Sequence, residues 1–384
     1  MSMIKVLVID DSALVRNLLR RILETDAAIE VVGTATDPYD AREKIKKLNP
    51  DVLTLDVEMP RMDGITFLKN LMRLRPLPVV MVSSLTEKGA ETTLQALELG
   101  AVDFVCKPQG EPATAIKRLS AEIISKVKMA ARTRLKRAGR ASLKEAGGED
   151  PAGLDVEERY GVDVIIGKTN RGRGGGGPII AVGASTGGTE AIKELLAPLP
   201  PGLPPIVITQ HIPAGFSAAF ANRMNRLLAL EVCEAEDGQP LLAGHVYIAP
   251  GHSHLLVARE RGGYCCRLND GPRVNRHKPS VDVLFRSVAQ CAGGKAIGIL
   301  LTGMGDDGAR CLLEMREAGA FTICQDEESS VVWGMPGSAV KLGAACQVAP
   351  LGKIPEALLD QFSKMNHRGA AGTPRRAHSH TLTT

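Results

Sequence analysis

The chain has 384 residues, of which 44% are hydrophobic and only 3% are aromatic, and its formal net charge is +4. The length is too great for one ordinary core and predicts two or three domains, while the apolar fraction excludes a disordered chain. Basic residues outnumber acidic ones only in segments 131–177 and 367–384, so a nucleic-acid-binding surface on a folded domain is not indicated.

Short apolar strands alternate with helical patterns through residues 4–130, and this alternation predicts an open parallel sheet with helices on both faces. Near-continuous apolar runs of this kind are typical of strands that are buried on both faces. The predicted strands are Ile4–Ile9, Glu30–Thr36, Asp51–Asp56, Pro78–Ser83 and Val102–Cys106.

Three carboxylates, a hydroxyl and an ammonium follow the ends of these strands, at one edge of the predicted sheet. They belong to Asp10, Asp11, Asp56, Ser83 and Lys107. Crowded carboxylates repel one another unless a cation lies among them, and hard oxygen ligands suit Mg²⁺. With that charge balanced, Asp56 can attack a phosphoryl donor and form an acyl phosphate. Lys107 and Ser83 would then bind the new phosphoryl oxygens.

On these motifs, residues 1–125 resemble the receiver domain of two-component response regulators. The resemblance implies a flavodoxin-like fold, with Asp56 as the phosphoacceptor and with Ser83, Lys107 and Phe104 supporting the phosphorylated state. Phe104 stands where such domains commonly carry a tyrosine, so signalling through a tyrosine hydroxyl is excluded. The resemblance also implies the Mg²⁺ ligands, which are Asp11, Asp56, the Glu58 carbonyl and, through water, Asp10.

The alternation is lost in residues 131–177, which we predict to be a flexible linker with a glycine run at its end. Its basic stretch, 132–140, is interpreted as the solvated face of a prolonged helix, with a binding surface as the alternative. A second α/β series occupies residues 178–366, and the polar segment 367–384 is predicted to be a disordered tail. Three short runs predict an antiparallel insertion in this series: His245–Ile248, Leu255–Arg259 and Cys265–Leu268.

A glycine-rich turn, Gly183-Ala-Ser-Thr-Gly-Gly188, follows a predicted strand and presents Ser185 beside free backbone N–H groups. Such a turn can also bind phosphate or a dinucleotide, but the spacing is not G-x-G-x-x-G and no P-loop lysine is present. His211 and Asp307 follow two other predicted strands, so three strand ends supply the hydroxyl, imidazole and carboxylate of a nucleophilic hydrolase. Their chain order differs from that of the α/β-hydrolases and predicts another fold.

Residues 178–366 strongly resemble the catalytic domain of the chemotaxis response-regulator protein-glutamate methylesterases. The resemblance rests on the turn at Ser185 and on Gln210-His211, Lys278-Pro-Ser-Val-Asp-Val283, Leu301-Thr-Gly-Met-Gly-Asp-Asp-Gly308 and Gly334-Met-Pro-Gly337. It implies Ser185 as the nucleophile, His211 as the general base and acid, and Asp307 as the group that orients the imidazole. It also implies that backbone N–H groups at Met304 and near Thr186 stabilise the oxyanion, and that residues 276–282 line the substrate cleft.

The predicted architecture is α/β, with two doubly wound parallel-sheet domains. A flavodoxin-like receiver occupies residues 1–130, and a Rossmann-like methylesterase domain with an antiparallel hairpin insertion occupies residues 178–366. The resemblance implies a phosphorylation-activated hydrolase that demethylates glutamyl methyl esters on chemoreceptor helices and also deamidates glutamines. Phosphorylation of Asp56 would relieve occlusion of the Ser185 cleft by the receiver. Mg²⁺ is expected in the receiver, and no cofactor is expected in the catalytic domain.

Several alternatives stay open. Asp306 occupies a position where the family often has asparagine, and its carboxylate could place a second charge near the triad. An alternative interpretation of Asp306-Asp307 is a second metal site, but no neighbouring carboxylates support it. His245, His252 and His254 are interpreted as hairpin residues rather than zinc ligands. Two other classes of protein compete with the methylesterase interpretation. One is a transcriptional regulator, which would need a basic helix-turn-helix, and the other is a noncatalytic phosphorylation-dependent binding module.

The eight cysteines form no C-x-x-C pair and are interpreted as thiols in a reducing cytosol. The N-terminus is a strand rather than a signal peptide, and no apolar run approaches the roughly 20 residues of a bilayer-spanning helix. We therefore expect a cytoplasmic monomer without nucleic-acid binding or membrane insertion. The expected partners are methyl-accepting chemoreceptors as the substrate and a chemotaxis-type histidine kinase as the phosphodonor.

Overall fold

The computed structural model describes residues 3–84, 86–107, 113–133, 159–169, 176–260 and 262–371. The first domain is built on a five-stranded parallel sheet in the order β2-β1-β3-β4-β5. Helices α1 and α5 pack on one face of this sheet, and α2, α3 and α4 pack on the other. Its elements are β1 (Ile4–Ile9), α1 (Ala13–Leu23), β2 (Ile29–Ala35), α2 (Pro38–Leu48), β3 (Val52–Asp56), α3 (Gly64–Leu74), β4 (Val79–Ser83), α4 (Glu87–Glu98), β5 (Asp103–Cys106) and α5 (Ala113–Arg132).

Capping side chains set where the helices of this domain begin. Ser12, Asp37 and Asp63 each accept a hydrogen bond from a backbone N–H group in the first turn of the helix that follows. Helix α2 is capped at its C-terminus by Asn49, which adopts the left-handed conformation that asparagine tolerates better than most residues. Each strand therefore ends at a short loop, and the polar residues of these loops collect at one edge of the sheet.

The second domain is built on a seven-stranded parallel sheet in the order β14-β13-β12-β6-β7-β9-β8, with a separate antiparallel hairpin of β10 and β11. Its strands are β6 (Ile179–Ala184), β7 (Ile206–Gln210), β8 (Glu231–Glu234), β9 (His245–Ile248), β10 (His254–Glu260), β11 (Gly263–Asn269), β12 (Ala296–Leu300), β13 (Phe321–Gln325) and β14 (Gln347–Ala349). Its helices are α6 (Gly188–Leu196), α7 (Ala214–Leu227), α8 (Val281–Ala292), α9 (Ala309–Glu317), α10 (Met335–Lys341) and α11 (Ile354–Ala371). The strand order reverses between β6 and β12, and ligands of such sheets bind at this kind of switch point.

The predicted fold class is confirmed, but one predicted strand lies in the wrong place. His245–Ile248 is not part of the antiparallel insertion, because it pairs in parallel with both β7 and β8 inside the main sheet. A four-residue apolar run between turns does not reveal the direction of its partners, and this is why the sequence pattern misled. The two remaining runs of the predicted insertion do form the antiparallel hairpin.

Part of the predicted linker is ordered in the structure. Residues 159–169 include a short 3-10 helix, Val162–Val164, and they lie against the second domain. Residues 134–140 of the predicted basic stretch, the glycine run up to residue 175 and tail residues 372–384 lie outside the described residues.

The apolar interiors of the two domains meet. One continuous cluster of buried side chains includes Leu94 and Phe104 of the first domain together with Phe216 and Phe220 of the second. Among the described helices, none is long and apolar enough to cross a bilayer. All eight cysteines are free thiols.

Candidate functional site

Ser185 lies in a sharp turn between β6 and α6, at the switch point of the second sheet. Its backbone N–H donates to the Thr302 carbonyl at 3.0 Å, which ties the turn to the loop after β12. Gly187 has a φ of +73°, and a Cβ added at Gly188 would lie 2.1 Å from Gln210 Oε1. Both positions therefore require glycine, and together they hold Ser185 at the edge of the sheet.

His211 follows β7 and connects the serine to a carboxylate. Its Nδ1 lies 3.1 Å from Ser185 Oγ, and its Nε2 lies 2.8 Å from Asp307 Oδ2. Because an ionised carboxylate only accepts hydrogen bonds, we assign the ring proton to Nε2. The lone pair of Nδ1 then faces the Ser185 hydroxyl, as a general base requires.

Asp307 is buried at the start of α9 and is held from several directions. Its Oδ2 also accepts a hydrogen bond from the Val281 N–H at 2.7 Å, and its Oδ1 accepts from Ser280 Oγ at 2.8 Å and from Asn275 Nδ2 at 2.9 Å. Burial alone would raise the pKa of Asp307, but the hydrogen bond from His211 and the neighbouring donors outweigh it and lower the pKa. The carboxylate is therefore fixed in its ionised form.

Two residues of the predicted cleft segment 276–282, His277 and Asp282, lie beside the triad, and their contacts with it were not predicted. The His277 ring stacks on the His211 ring, with centroids 3.7 Å apart and planes 9° apart. Burial and the charge of His211 lower the pKa of His277, so this second imidazole is neutral. The pKa of Asp282, which lies buried beside Asp307, is raised by burial and by the Asp307 charge to about 7.

His254 also belongs to the support of the triad. Its Nε2 donates to the Pro272 carbonyl at 2.9 Å, and its Nδ1 accepts from the Ser280 N–H at 3.2 Å. His245 instead pairs with Glu231 in the main sheet. Among the described residues, only the first domain gathers three or more metal-binding side chains closely enough to bind one ion, so the zinc alternative finds no support.

The predicted oxyanion residues lie on two neighbouring loops: Thr186 is in the turn that carries Ser185, and Met304 is in the loop after β12. A Cβ added at Gly303 would lie 2.8 Å from Ser185 Cβ, so the chain leading to Met304 runs directly alongside the serine. Thr186 follows Ser185 and its carbonyl accepts a hydrogen bond from Thr302 Oγ1 at 3.0 Å. The oxyanion role of the Met304 and Thr186 N–H groups stays a prediction.

The first domain contacts both of these loops. Thr186 Oγ1 donates to Asp103 Oδ2 at 2.6 Å in a buried position, and Ser125 Oγ donates to Met304 Sδ at 3.3 Å. Lys126 lies 3.3 Å from Asp103 Oδ1. Burial would lower the pKa of Lys126, but the charges of Asp103 and Glu122 outweigh it and raise the pKa.

Ionic and aromatic contacts extend this junction between the domains. Glu98, at the end of α4, pairs with Lys193 of α6 at 2.6 Å and with Arg223 of α7. Burial would raise the pKa of Glu98, but these two cations outweigh it and lower the pKa. The rings of Phe104 and Phe216 lie 4.6 Å apart between their centroids.

The acidic residues of the first domain form one cluster at its sheet edge. Ligand oxygens of Asp10, Asp11 and Asp56 lie within 4.8 Å of one another, and Lys107 Nζ lies 2.7 Å from Asp56 Oδ2 and 3.1 Å from Asp10 Oδ2. Both of these carboxylate oxygens are buried, and Lys107 is the cation that pairs with them. Burial raises the pKa of Asp56 to about 6, although the Lys107 charge opposes this. A cation among hard oxygen ligands would relieve this charge crowding, so the residues fit Mg²⁺.

Other predicted residues of this cluster lie nearby. The Glu58 N–H donates to Asp56 Oδ1 at 3.3 Å, while the ligand role of the Glu58 carbonyl stays a prediction. Ser83 is buried, and its hydroxyl donates at 3.3 Å to the carbonyls of Ser84 and Gly89. The Phe104 carbonyl accepts a 2.6 Å hydrogen bond from Lys126. Phe104 thus belongs to the strand that precedes Lys107 and also contacts the second domain through its ring.

Comparisons with known proteins match both halves of the chain. Residues 6–119 match the model of the response regulator receiver domain, and residues 180–358 match that of the CheB methylesterase. The protein-glutamate methylesterase/protein-glutamine glutaminase of Hydrogenovibrio crunogenus is 58% identical over 95% of this chain and 100% of its own length. A protein of the same name from Geobacter metallireducens is 52% identical over 95% and 98%. The crystal structure of the Thermotoga maritima CheB methylesterase catalytic domain is 38% identical, covering 48% of this chain and 98% of that one, with a TM-score of 0.47.

Proposed function

The chain belongs to the family of protein-glutamate methylesterases/protein-glutamine glutaminases, and from this premise we propose that it is a phosphorylation-activated hydrolase acting on methyl-accepting chemoreceptors. The substrates would be glutamyl methyl esters and glutamines on the cytoplasmic helices of those receptors. The observation that supports this most directly is the hydrogen-bonded series Ser185–His211–Asp307, with distances of 3.1 and 2.8 Å.

The ester reaction would proceed in two steps at this triad. Ser185 Oγ attacks the ester carbonyl carbon while Nδ1 of His211 takes the hydroxyl proton, and Asp307 stabilises the resulting imidazolium. The tetrahedral oxyanion is stabilised by the N–H groups of Met304 and Thr186. The C–O bond to the methoxy group then breaks, and His211 returns the proton so that methanol leaves.

Water completes the cycle. It attacks the acyl-enzyme carbonyl while His211 accepts one of its protons, and the proton passes to Ser185 as the new carboxyl group leaves. With a glutamine substrate the same steps release ammonia in place of methanol. The neutral, stacked His277 supports this assignment, because it holds the His211 ring in place without competing for its proton.

Control by phosphorylation would reside in the acidic cluster of the receiver. Asp56 accepts the phosphoryl group from a chemotaxis-type histidine kinase, and Lys107 and Ser83 bind the transferred oxygens. Mg²⁺, held by Asp11, Asp56, the Glu58 carbonyl and a water on Asp10, would supply positive charge to the phosphoryl oxygens.

Inhibition in the unphosphorylated state would come from the junction between the domains. The receiver contacts Thr186 and Met304, which are the two residues proposed to stabilise the oxyanion. A receptor helix cannot approach Ser185 while those contacts persist. Phosphorylation would favour the separated arrangement, and a shift from mostly closed to mostly open takes about 5 kcal/mol of differential stabilisation.

The test is methanol release from a methylated chemoreceptor by the full-length protein, with and without a phosphodonor. A noncatalytic binding module would bind receptor and release no methanol. A transcriptional regulator would bind DNA. We propose that the protein acts in the cytoplasm, because its proposed partners are receptor cytoplasmic helices and a histidine kinase.

A further inference from the structure

The segment 159–168, which we call the strap, lies between the two domains in the sequence and is attached to the second domain. Val162 is buried in the same apolar cluster as α8 and α9. Asp163 pairs at 2.6 Å with the largely buried Arg286, which also bonds the Ile166 carbonyl at 3.1 Å. At the far end, Gln290 Nε2 donates to the Gly167 carbonyl at 2.8 Å.

The N-terminal end of the strap, at Arg159 and Tyr160, reaches the active-site loop. The Asn275 N–H donates to the Tyr160 carbonyl at 3.0 Å, and Arg159 Nε donates to Asn275 Oδ1 at 3.4 Å. Arg159 Nη2 also lies 2.5 Å from Asp306 Oδ1, next to the triad carboxylate. One strap residue therefore contacts both Asn275 and Asp306.

Asn275 in turn joins two buried carboxylates. Its Nδ2 donates at 2.6 Å to Asp282 Oδ2 and at 2.9 Å to Asp307 Oδ1. Asn275 and Arg276 have φ values of +50° and +70°, and two successive non-glycine residues rarely adopt this region without support from their surroundings. The backbone bond to Tyr160 supplies such support directly at Asn275.

We propose that the strap is a positioning element of the catalytic site, which acts through Arg159 and Asn275 to hold Asp307 in line with His211. The proposal rests on the proposed role of Asp307 in the triad. Arg159 also balances the charge of Asp306, so the second carboxylate beside the triad does not act as an unpaired charge. A small displacement of Asp307 misaligns His211, and misplacements of about 1 Å can reduce turnover by about 100-fold.

The experiment compares Val162→Asp with Val164→Asp in the full-length protein treated with a phosphodonor. Val162 is buried and Val164 is 48% exposed, so both changes add the same charge to the strap but only the first should detach it. We expect Val162→Asp to lower kcat for methanol release about tenfold or more, with KM for the receptor within about twofold of wild type. Val164→Asp should match the wild-type protein in both constants.

A second pair keeps the test decisive if Val162→Asp does not fold, as judged by its thermal unfolding. Arg159→Met should lower kcat by about threefold or more, whereas Lys168→Met, which removes a cation at the other end of the strap, should not. Wild-type kcat in Arg159→Met, or in a folded Val162→Asp, would refute the proposal. Ser185→Ala is assayed in parallel: if it keeps its activity the proposed function fails, and if it is inactive while the strap variants are normal only the strap proposal fails.

Discussion

The Thr186 hydroxyl, one residue after the proposed nucleophile, donates a buried 2.6 Å hydrogen bond to Asp103 of the receiver. Asp103 is the first residue of β5, and Lys126 contacts its other carboxylate oxygen. A change in the receiver that moves β5 therefore reaches the turn that carries Ser185 through a single side-chain contact. Hydrogen bonds to charged groups contribute about 1.5–3 kcal/mol, which is enough to alter the balance between the proposed closed and open arrangements.

The first prediction concerns this contact. Asp103→Ala should raise the activity of the unphosphorylated full-length protein severalfold, because it removes the acceptor that holds Thr186. Glu122→Ala is the matched control, since it removes the other carboxylate partner of Lys126 without touching Thr186. Methanol release without phosphodonor is the measurement. Equal rates in both variants would mean that the contact does not contribute to inhibition.

The second prediction concerns the nucleophile. Ser185→Ala should reduce methanol release by several orders of magnitude and abolish labelling by a fluorophosphonate probe, because the members of a triad act as a unit. Ser363→Ala, on the exposed part of α11, should leave both unchanged. Near-wild-type methanol release by the Ser185 variant would contradict the triad assignment.

The third prediction concerns the phosphoacceptor. A small-molecule phosphodonor with Mg²⁺ should modify Asp56, and Asp56→Asn should lose both the modification and the activation. Asp26→Asn, which alters an aspartate paired with Lys128 away from the acidic cluster, should retain both. Peptide mapping of the modified protein is the check, and phosphate found on another residue would overturn the assignment.

The fourth prediction separates inhibition by the receiver from support of the catalytic site by the strap. A fragment of residues 178–384 lacks the receiver and should release methanol faster than the unphosphorylated full-length protein. A fragment of residues 157–384, which keeps the strap, should be faster still. If the longer fragment, which keeps the strap, and the unphosphorylated full-length protein are equally active, the receiver does not inhibit by occlusion and would act instead by promoting substrate engagement.

The fifth prediction concerns pH. Burial lowers the pKa of His254 below its ordinary value of 6.5, so the unfolded chain binds this proton more readily than the folded domain does. The free energy of unfolding should therefore fall as the pH drops below about 6.5, by at most about 1.4 kcal/mol per pH unit for this residue. His254→Gln should flatten the dependence, relative to the wild-type protein, in denaturant titrations at pH 5 and 7. An unchanged slope in the His254 variant would exclude this origin.

The sequence predicted the ends of strands better than the loops between them. Asp56 and Ser185 follow apolar runs whose periodicity marks a buried parallel strand, and residues that end such strands meet at one edge. The direction of β9 was wrong because strand pairing is a property of the whole sheet. Asn275 was missed, and so was the stacking of His277 on His211, because both positions depend on left-handed backbone at Asn275 and Arg276. The contact of Asn275 with Tyr160, distant in the chain, has no local signal at all.

The continuous apolar cluster across the two domains would give the proposed switch a temperature dependence. Separating the domains exposes Phe104 and Phe216 to water, so opening carries a positive heat-capacity change. Apolar burial weakens on cooling. If phosphorylation stabilises the separated arrangement by the same free energy at every temperature, a larger fraction of molecules should have separated domains in the cold. The receiver would thereby partly offset the slowing of ester hydrolysis as temperature falls.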